Sequence, residues 1–134
     1  MILSICTRCR DGQENILVKR GGRRFAEALM RRITAGKSLV VRGVHCMSQC
    51  KRPCVVSFMS ANSFTYSFGD LDPEDAEHID AVIEFTGLYG ESNEGFVLRD
   101  QRPKPLQAGI LGRYPPLETN SDLVSNLSQF VGPN

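Results

Sequence analysis

No stretch of this sequence approaches the run of about 20 apolar residues that a bilayer-spanning helix needs, so no membrane span is expected. A glycine-rich phosphate loop and a dinucleotide-binding glycine fingerprint are both missing, which leaves nucleotide-dependent chemistry without a seat. Tryptophan is absent, histidine occurs only as His45 and His78, and no nucleophile stands in a recognisable pattern with a base. The chain is therefore expected not to be an enzyme. Aromatic residues are few and lie mostly in the acidic half, away from the basic residues, which argues against a base-stacking surface for nucleic acid. The opening residues, MILSICTRCR, have no basic segment ahead of their apolar run and read as a buried strand, not a signal peptide. Cysteine is scarce too, with five residues. An odd number without an export signal points to a reducing, bacterial-type cytoplasm, where clustered cysteines are more often metal ligands or redox thiols than disulfides.

What is present is concentrated. The cysteines fall in two clusters, CTRC at residues 6–9 and HCMSQCKRPC at residues 45–54. Residues 1–54 hold twelve Lys/Arg and three Asp/Glu, a balance of +9, whereas residues 55–134 hold four and twelve, a balance of −8, which together give the net +1. The cysteine-bearing half is the basic half, and Arg8, Arg10, Lys51 and Arg52 interleave the cysteines. These four form an expected basic rim that steers an acidic protein partner, in redox or metal handling, or offsets an anionic cofactor. The oligomeric state is left open, with a homodimer among the options. The acid-rich GDLDPEDAEHID is explained by capping and dipole matching without any metal.

With 134 residues the chain is one domain by size. Residues 2–6 read as a buried strand and are followed by a polar, Gly-containing loop with Ile16, Leu17 and Val18 inside it. Phe25, Ala26, Leu29, Met30 and Ile33 recur at helical spacing, with Gly36 as the stop. Residues 38–45 form a β-branched run. Residues 55–59 and 64–68 suit a hairpin joined by SANS, with Phe64, Tyr66 and Phe68 on one face. A second helix starts at Asp72 as cap and Pro73 as first residue, carries Ala76, Ile79, Val82 and Ile83, and ends at Gly87. The order β-α-β-β-β-α gives an α/β fold with a mixed four-stranded sheet, because a strand-helix-strand unit pairs in parallel and a hairpin antiparallel. RPKPL (102–106) and RYPPL (113–117) share an R-x-x-P-L frame and are read as an extended strap on the sheet. The expected division is a metal-binding domain over 1–117, including a Pro-rich strap over 100–117, and a polar tail over 118–134 with weak helical spacing at Leu123, Leu127 and Phe130.

In that topology Cys6 and Cys9 follow strand one, Cys46 and Cys50 follow strand two, and Cys54 opens strand three, so three segments bring cysteines to one rim of the sheet. Four convergent thiolates suit a tetrahedral zinc or an iron-sulfur cluster. Spacing alone excludes none of Cys46, Cys50 and Cys54. Position favours the first two, because Cys54 follows Pro53 at the entrance to a strand and is read as a spare thiol beside the site, with a role as alternative ligand kept open. His45 stands at a strand end, where histidine is usually exposed or hydrogen-bonded.

At CMSQCKRPCVV the chain resembles the thioredoxin-like 2Fe-2S ferredoxins and the small peripheral 2Fe-2S subunit of respiratory complex I. Their second ligand pair commonly reads C-L-G-x-C-x-x-A-P and runs into a strand. Here Ser48 replaces the glycine, Cys54 stands at the proline, and the first pair is a shorter C-x-x-C. With CMSQCKRPC, TYSFGDLDPEDA and GRYPPL as landmarks, nearly the whole chain is similar to a bacterial family described only as predicted metal-binding proteins. The resemblance implies a thioredoxin-like fold and a 2Fe-2S cluster on Cys6, Cys9, Cys46 and Cys50, hence a ferredoxin-like electron carrier or redox sensor. A zinc-binding or other metal-handling protein is the alternative, followed by a dithiol oxidoreductase at CTRC and then a binding module with incidental cysteines.

Overall fold

The apolar first segment forms β1 (Ile2–Cys6), which pairs on both sides. The structure, a computed structural model, describes residues 1–33 and 39–129. After β1 come a one-turn helix α1 (Glu14–Leu17), the helix α2 (Gly21–Arg32), β2 (Val40–Val44), the hairpin β3 (Val56–Met59) and β4 (Thr65–Phe68), the long helix α3 (Ala76–Glu91), a short α4 (Pro105–Ala108) and β5 (Ile110–Tyr114). The strand order is β2-β1-β3-β4-β5. β1 and β2 are parallel, with Ile2 opposite Val40 and Cys6 opposite Val44, and every other pairing is antiparallel. No helix among the described residues is long and apolar enough to cross a membrane.

The sheet has five strands, not the expected four. The fifth lies within the segment read as a Pro-rich strap, where ILGRY is free of proline and can offer its amides to the β4 edge. Five residues of weak alternation do not declare a strand until an edge is there to pair with.

Register puts Val41, Leu3, Phe58, Tyr66 and Arg113 in one row across the sheet, and Ile5, Val56 and Phe68 in the next. Both rows face the helices. Phe25 and Leu29 of α2 and Ile79, Val82, Phe85 and Tyr89 of α3 are buried against them. Phe85 is the hub, with ring centroids 4.7 Å from Phe58, 5.1 Å from Phe68 and 5.3 Å from Tyr66, edge to face. Phe64, Tyr66 and Phe68 are all buried, as their alternation requires. Arg32 of α2 pairs with Asp80 of α3 at 2.7 Å across the helix surface.

Local expectations shift in four places. Ile16, Leu17 and Val18 are exposed, the first two within α1. Met30, read as an inward position of α2, is 55% exposed. The cap of α3 is Asp75, which accepts the Glu77 amide at 2.9 Å, while Asp72 accepts the Glu74 amide one turn earlier. Finally, α3 runs through Gly87 to Glu91, because burial of Phe85 and Tyr89 carries it past one weak residue. The expected stop at Gly36, the strand residue Ser38 and the spacing residue Phe130 lie outside the described residues. Near the chain end Leu127–Gln129 form a short 3-10 turn.

Candidate metal centre

Three strand ends meet at one rim. The Cys6 amide donates to Val55 O at 2.9 Å and the Thr7 amide to Val44 O at 2.9 Å, carrying the β3 pairing to Cys6 and the β2 pairing one residue past it. Cys54 sits two residues before β3 with its amide on Leu71 O at 3.0 Å. The loop after Cys6 is held from below by α2, whose Gly22 amide donates to Cys9 O at 3.0 Å. A Cβ at Gly22 would overlap the Cys6 carbonyl oxygen, so only glycine allows this approach. Arg24, on the same helix, ties the loop by pairing with Asp11 and with Glu74.

Cys6 and Cys9 are 2% and 3% exposed and Cys54 is fully buried, whereas Cys46 and Cys50 are exposed. Burial alone would raise the Cys6 thiol. The nearby amides of Arg8, Met47 and Cys9 and the Cys9 thiol favour its charged form and hold it below the usual thiol value. Cys9 is pushed up to about 12, first by burial and then by its bond to Cys6, with the charges of Cys6 and Cys50 adding. Burial likewise pushes Cys54 up to about 12, with contributions from the charges of Cys9, Asp11 and Cys6. Met47 belongs to the second cysteine loop, so that loop approaches the first. Within that loop Ser48 has φ +60°, the left-handed region, and it occupies the position where the ferredoxin pattern carries glycine.

The donor set is chemically suited to a thiolate-bound metal: five thiols toward one rim, one of them lowered by amides nearby. Among the described residues, however, no three His, Cys, Asp or Glu side chains are grouped closely enough to hold an ion. Cys6 and Cys9 lie together below, and the two thiols of the 46–50 loop face outward. His45 is exposed and accepts from Arg8 Nη1 at 2.9 Å. His78 Nδ1 accepts the Asp72 amide at 2.9 Å, a structural role.

The four basic residues expected to form a rim are placed unequally. Arg10 and Lys51 are exposed, Arg8 is engaged with His45, and Arg52 is ion-paired with Asp70. On the flank at Pro53 an acidic cleft of about 330 Å³ opens, lined by Asp11, Asp70, Asp72 and Glu74. The rim is basic on the side of the exposed loop and acidic on the side of Cys54. Gly22 and Arg24 are not legible as site residues in the sequence, because KRGGRR reads as polar loop. The signal was the paired glycine directly ahead of the helical periodicity, where a backbone has to pass close to another.

A mixed five-stranded sheet with two helices packed on one face defines an α/β protein. The fold matches the structure of a thioredoxin-like 2Fe-2S ferredoxin from Aquifex aeolicus with a TM-score of 0.53, at 21% identity, over 86% of this chain and 93% of that one. The chain belongs to the family described as protein of unknown function, DUF1636, whose model matches residues 3–116. No curated protein matches the sequence.

Proposed function

We propose that the protein binds a metal centre through Cys6, Cys9, Cys46 and Cys50, that the centre is a 2Fe-2S cluster, and that the protein acts as an electron carrier or redox sensor. The observation that supports this reading is the meeting of three cysteine-bearing segments at one end of the sheet, where β1 ends at Cys6 beside the end of parallel β2 and the start of antiparallel β3. Closing the site requires the exposed Cys46 and Cys50 thiols to turn onto Cys6 and Cys9. The fold shared with a 2Fe-2S ferredoxin supports the choice of cluster. Such a cluster supplies one-electron transfer, and the N–H groups around Cys6 offset its negative charge. Cys54 packs beneath the site as a spare thiol.

Purification without oxygen, an absorption spectrum, and iron and acid-labile sulfide analysis test this. The expected result is a reddish-brown protein with about two irons and two sulfides per chain. A colourless protein holding one zinc would overturn the cluster and leave the thiolate site. The lowered Cys6 thiol beside Cys9 favours one second reading, a dithiol oxidoreductase, which requires the metal-free protein to cycle between a Cys6–Cys9 disulfide and dithiol. An acidic protein partner would meet the exposed Arg10 and Lys51. Replacing both with Ala should then slow association and weaken its salt dependence without changing metal content, and an unchanged on-rate would remove that role.

A further inference from the structure

The two R-x-x-P-L frames take no part in the cysteine rim, yet the fold brings their arginines to one place. Arg113 ends the core row Leu3–Phe58–Tyr66 on the helix-covered face of the sheet. Its guanidinium carbon lies 3.8 Å from the Phe96 ring centroid and 5.8 Å from that of Tyr66. Arg102 lies 6.0 Å over Phe68. The Tyr66 and Phe68 rings are stacked with centroids 5.8 Å apart, so the two guanidiniums sit on adjacent rings of one aromatic layer. Arg99, one turn before Arg102, adds its charge to the same spot.

Arg102 is only 5% exposed, and its Nε and Nη1 atoms are buried without a hydrogen-bond partner. Among the described residues no ion pair includes Arg99, Arg102 or Arg113. A guanidinium does not shed its proton at any ordinary pH, so burial leaves a fixed charge that Arg99 and Arg113 oppose. The ring of Phe68 stands at the limit of cation–π range and accepts none of the N–H bonds. The backbone holding Arg102 is firm: its carbonyl accepts Gln107 Nε2 at 2.9 Å, and Arg99 Nη1 donates to Gln107 O at 3.2 Å. A buried, backbone-fixed, unneutralised planar donor flanked by two further cations is electrostatically suited to an anion.

We propose that Arg102, Arg113 and Arg99 form a binding site for a small oxyanion of the phosphate or carboxylate class, held by the Arg102 fork and entered from the exposed Arg113 and Arg99 side.

The test is calorimetric titration and thermal unfolding of the full chain in an amine buffer, with inorganic phosphate, acetate or chloride at matched ionic strength. Wild type should bind phosphate or acetate saturably and gain several degrees in Tm over chloride. Arg102→Met and Arg113→Gln should each weaken binding by about tenfold or more while leaving metal content unchanged. Saturation by phosphate alone would assign a phosphoryl ligand, and saturation by both a group shared with carboxylates. If neither anion acts beyond chloride, or if Arg102→Met binds as wild type does, water satisfies the guanidinium and the proposal is overturned. Should Arg102→Met fail to fold, the exposed Arg113→Gln carries the same comparison.

Discussion

Adding one methyl group at Gly22 tests whether α2 really braces the first cysteine pair. Its Cβ would overlap the Cys6 carbonyl oxygen and stand 3.0 Å from the Cys6 carbonyl carbon and 3.2 Å from the Cys9 nitrogen. Ordinary carbon contacts begin at about 3.5 Å, and the obstacle is backbone, so either the helix or the cysteine loop must move. Overpacking of this kind costs about 1–3 kcal/mol, which outweighs the gain of up to about 1 kcal/mol from replacing glycine in a helix. A fall in Tm of roughly 3–5 °C per kcal/mol follows for a domain of this size. Gly87 of α3 provides the opposite sign, since a Cβ there meets nothing within 4 Å and the position lies inside a helix. Gly87→Ala should therefore stabilise by about 0.5–1 kcal/mol. Thermal unfolding of protein purified without oxygen, with iron and sulfide measured on the same samples, reads both effects. Gly22→Ala should lose stability and metal together, and Gly87→Ala neither. A Gly22→Ala protein with wild-type Tm and full metal content would refute the close packing and with it the brace.

Single Ser replacements at Cys6, Cys9, Cys46 and Cys50 should each lose or distort the absorption spectrum, whereas Cys54→Ser should keep metal stoichiometry. Loss at Cys54 with retention at Cys9 would redraw the ligand set as Cys6 plus the three-cysteine loop. Ser48→Gly should raise stability by roughly 0.5–1 kcal/mol in urea unfolding, because Ser48 holds φ +60° and glycine does so without steric penalty. No gain would mean that the Ser48 backbone is under no strain. Tyr89, whose hydroxyl donates to Phe64 O, is pushed up to about 12 from 10.0 mainly by burial, with Tyr66 adding. Its neutral form is favoured in the fold, so stability is intact below pH 10 and falls by about 2–3 kcal/mol as pH rises from about 10 to 12. Tyr89→Phe should flatten that slope, and an equally steep slope in the variant would assign the loss to other groups.

The α2 and α3 cores and the β3–β4 hairpin were legible because their apolar residues repeat at helix or strand period, and period is a local property. Phe25 with Leu29, Ile79 with Val82, and Phe64, Tyr66 and Phe68 are all buried as read. The parallel β1–β2 pair followed from the helix between them. β5 was not legible, since its five residues become a strand only against the β4 edge. The end of α3 was misplaced for a related reason, as tertiary burial of Phe85 and Tyr89 outweighs the local weakness at Gly87.

By itself the sequence determined which chemistry is available: five thiols in two clusters, basic residues among them, and a strand order that sends all three segments to one rim. Tertiary structure decided what those groups experience. Cys6 and Cys54 are both thiols near strand ends, yet nearby amides lower the first, while burial raises the second. Arg102 and Arg113 share a sequence frame with no visible purpose, and only the pairing of β4 with β5 sets them over one aromatic layer. Donor identity is written residue by residue along the chain. Desolvation and the direction of nearby dipoles depend on groups distant in sequence, so they exist only once the chain has folded.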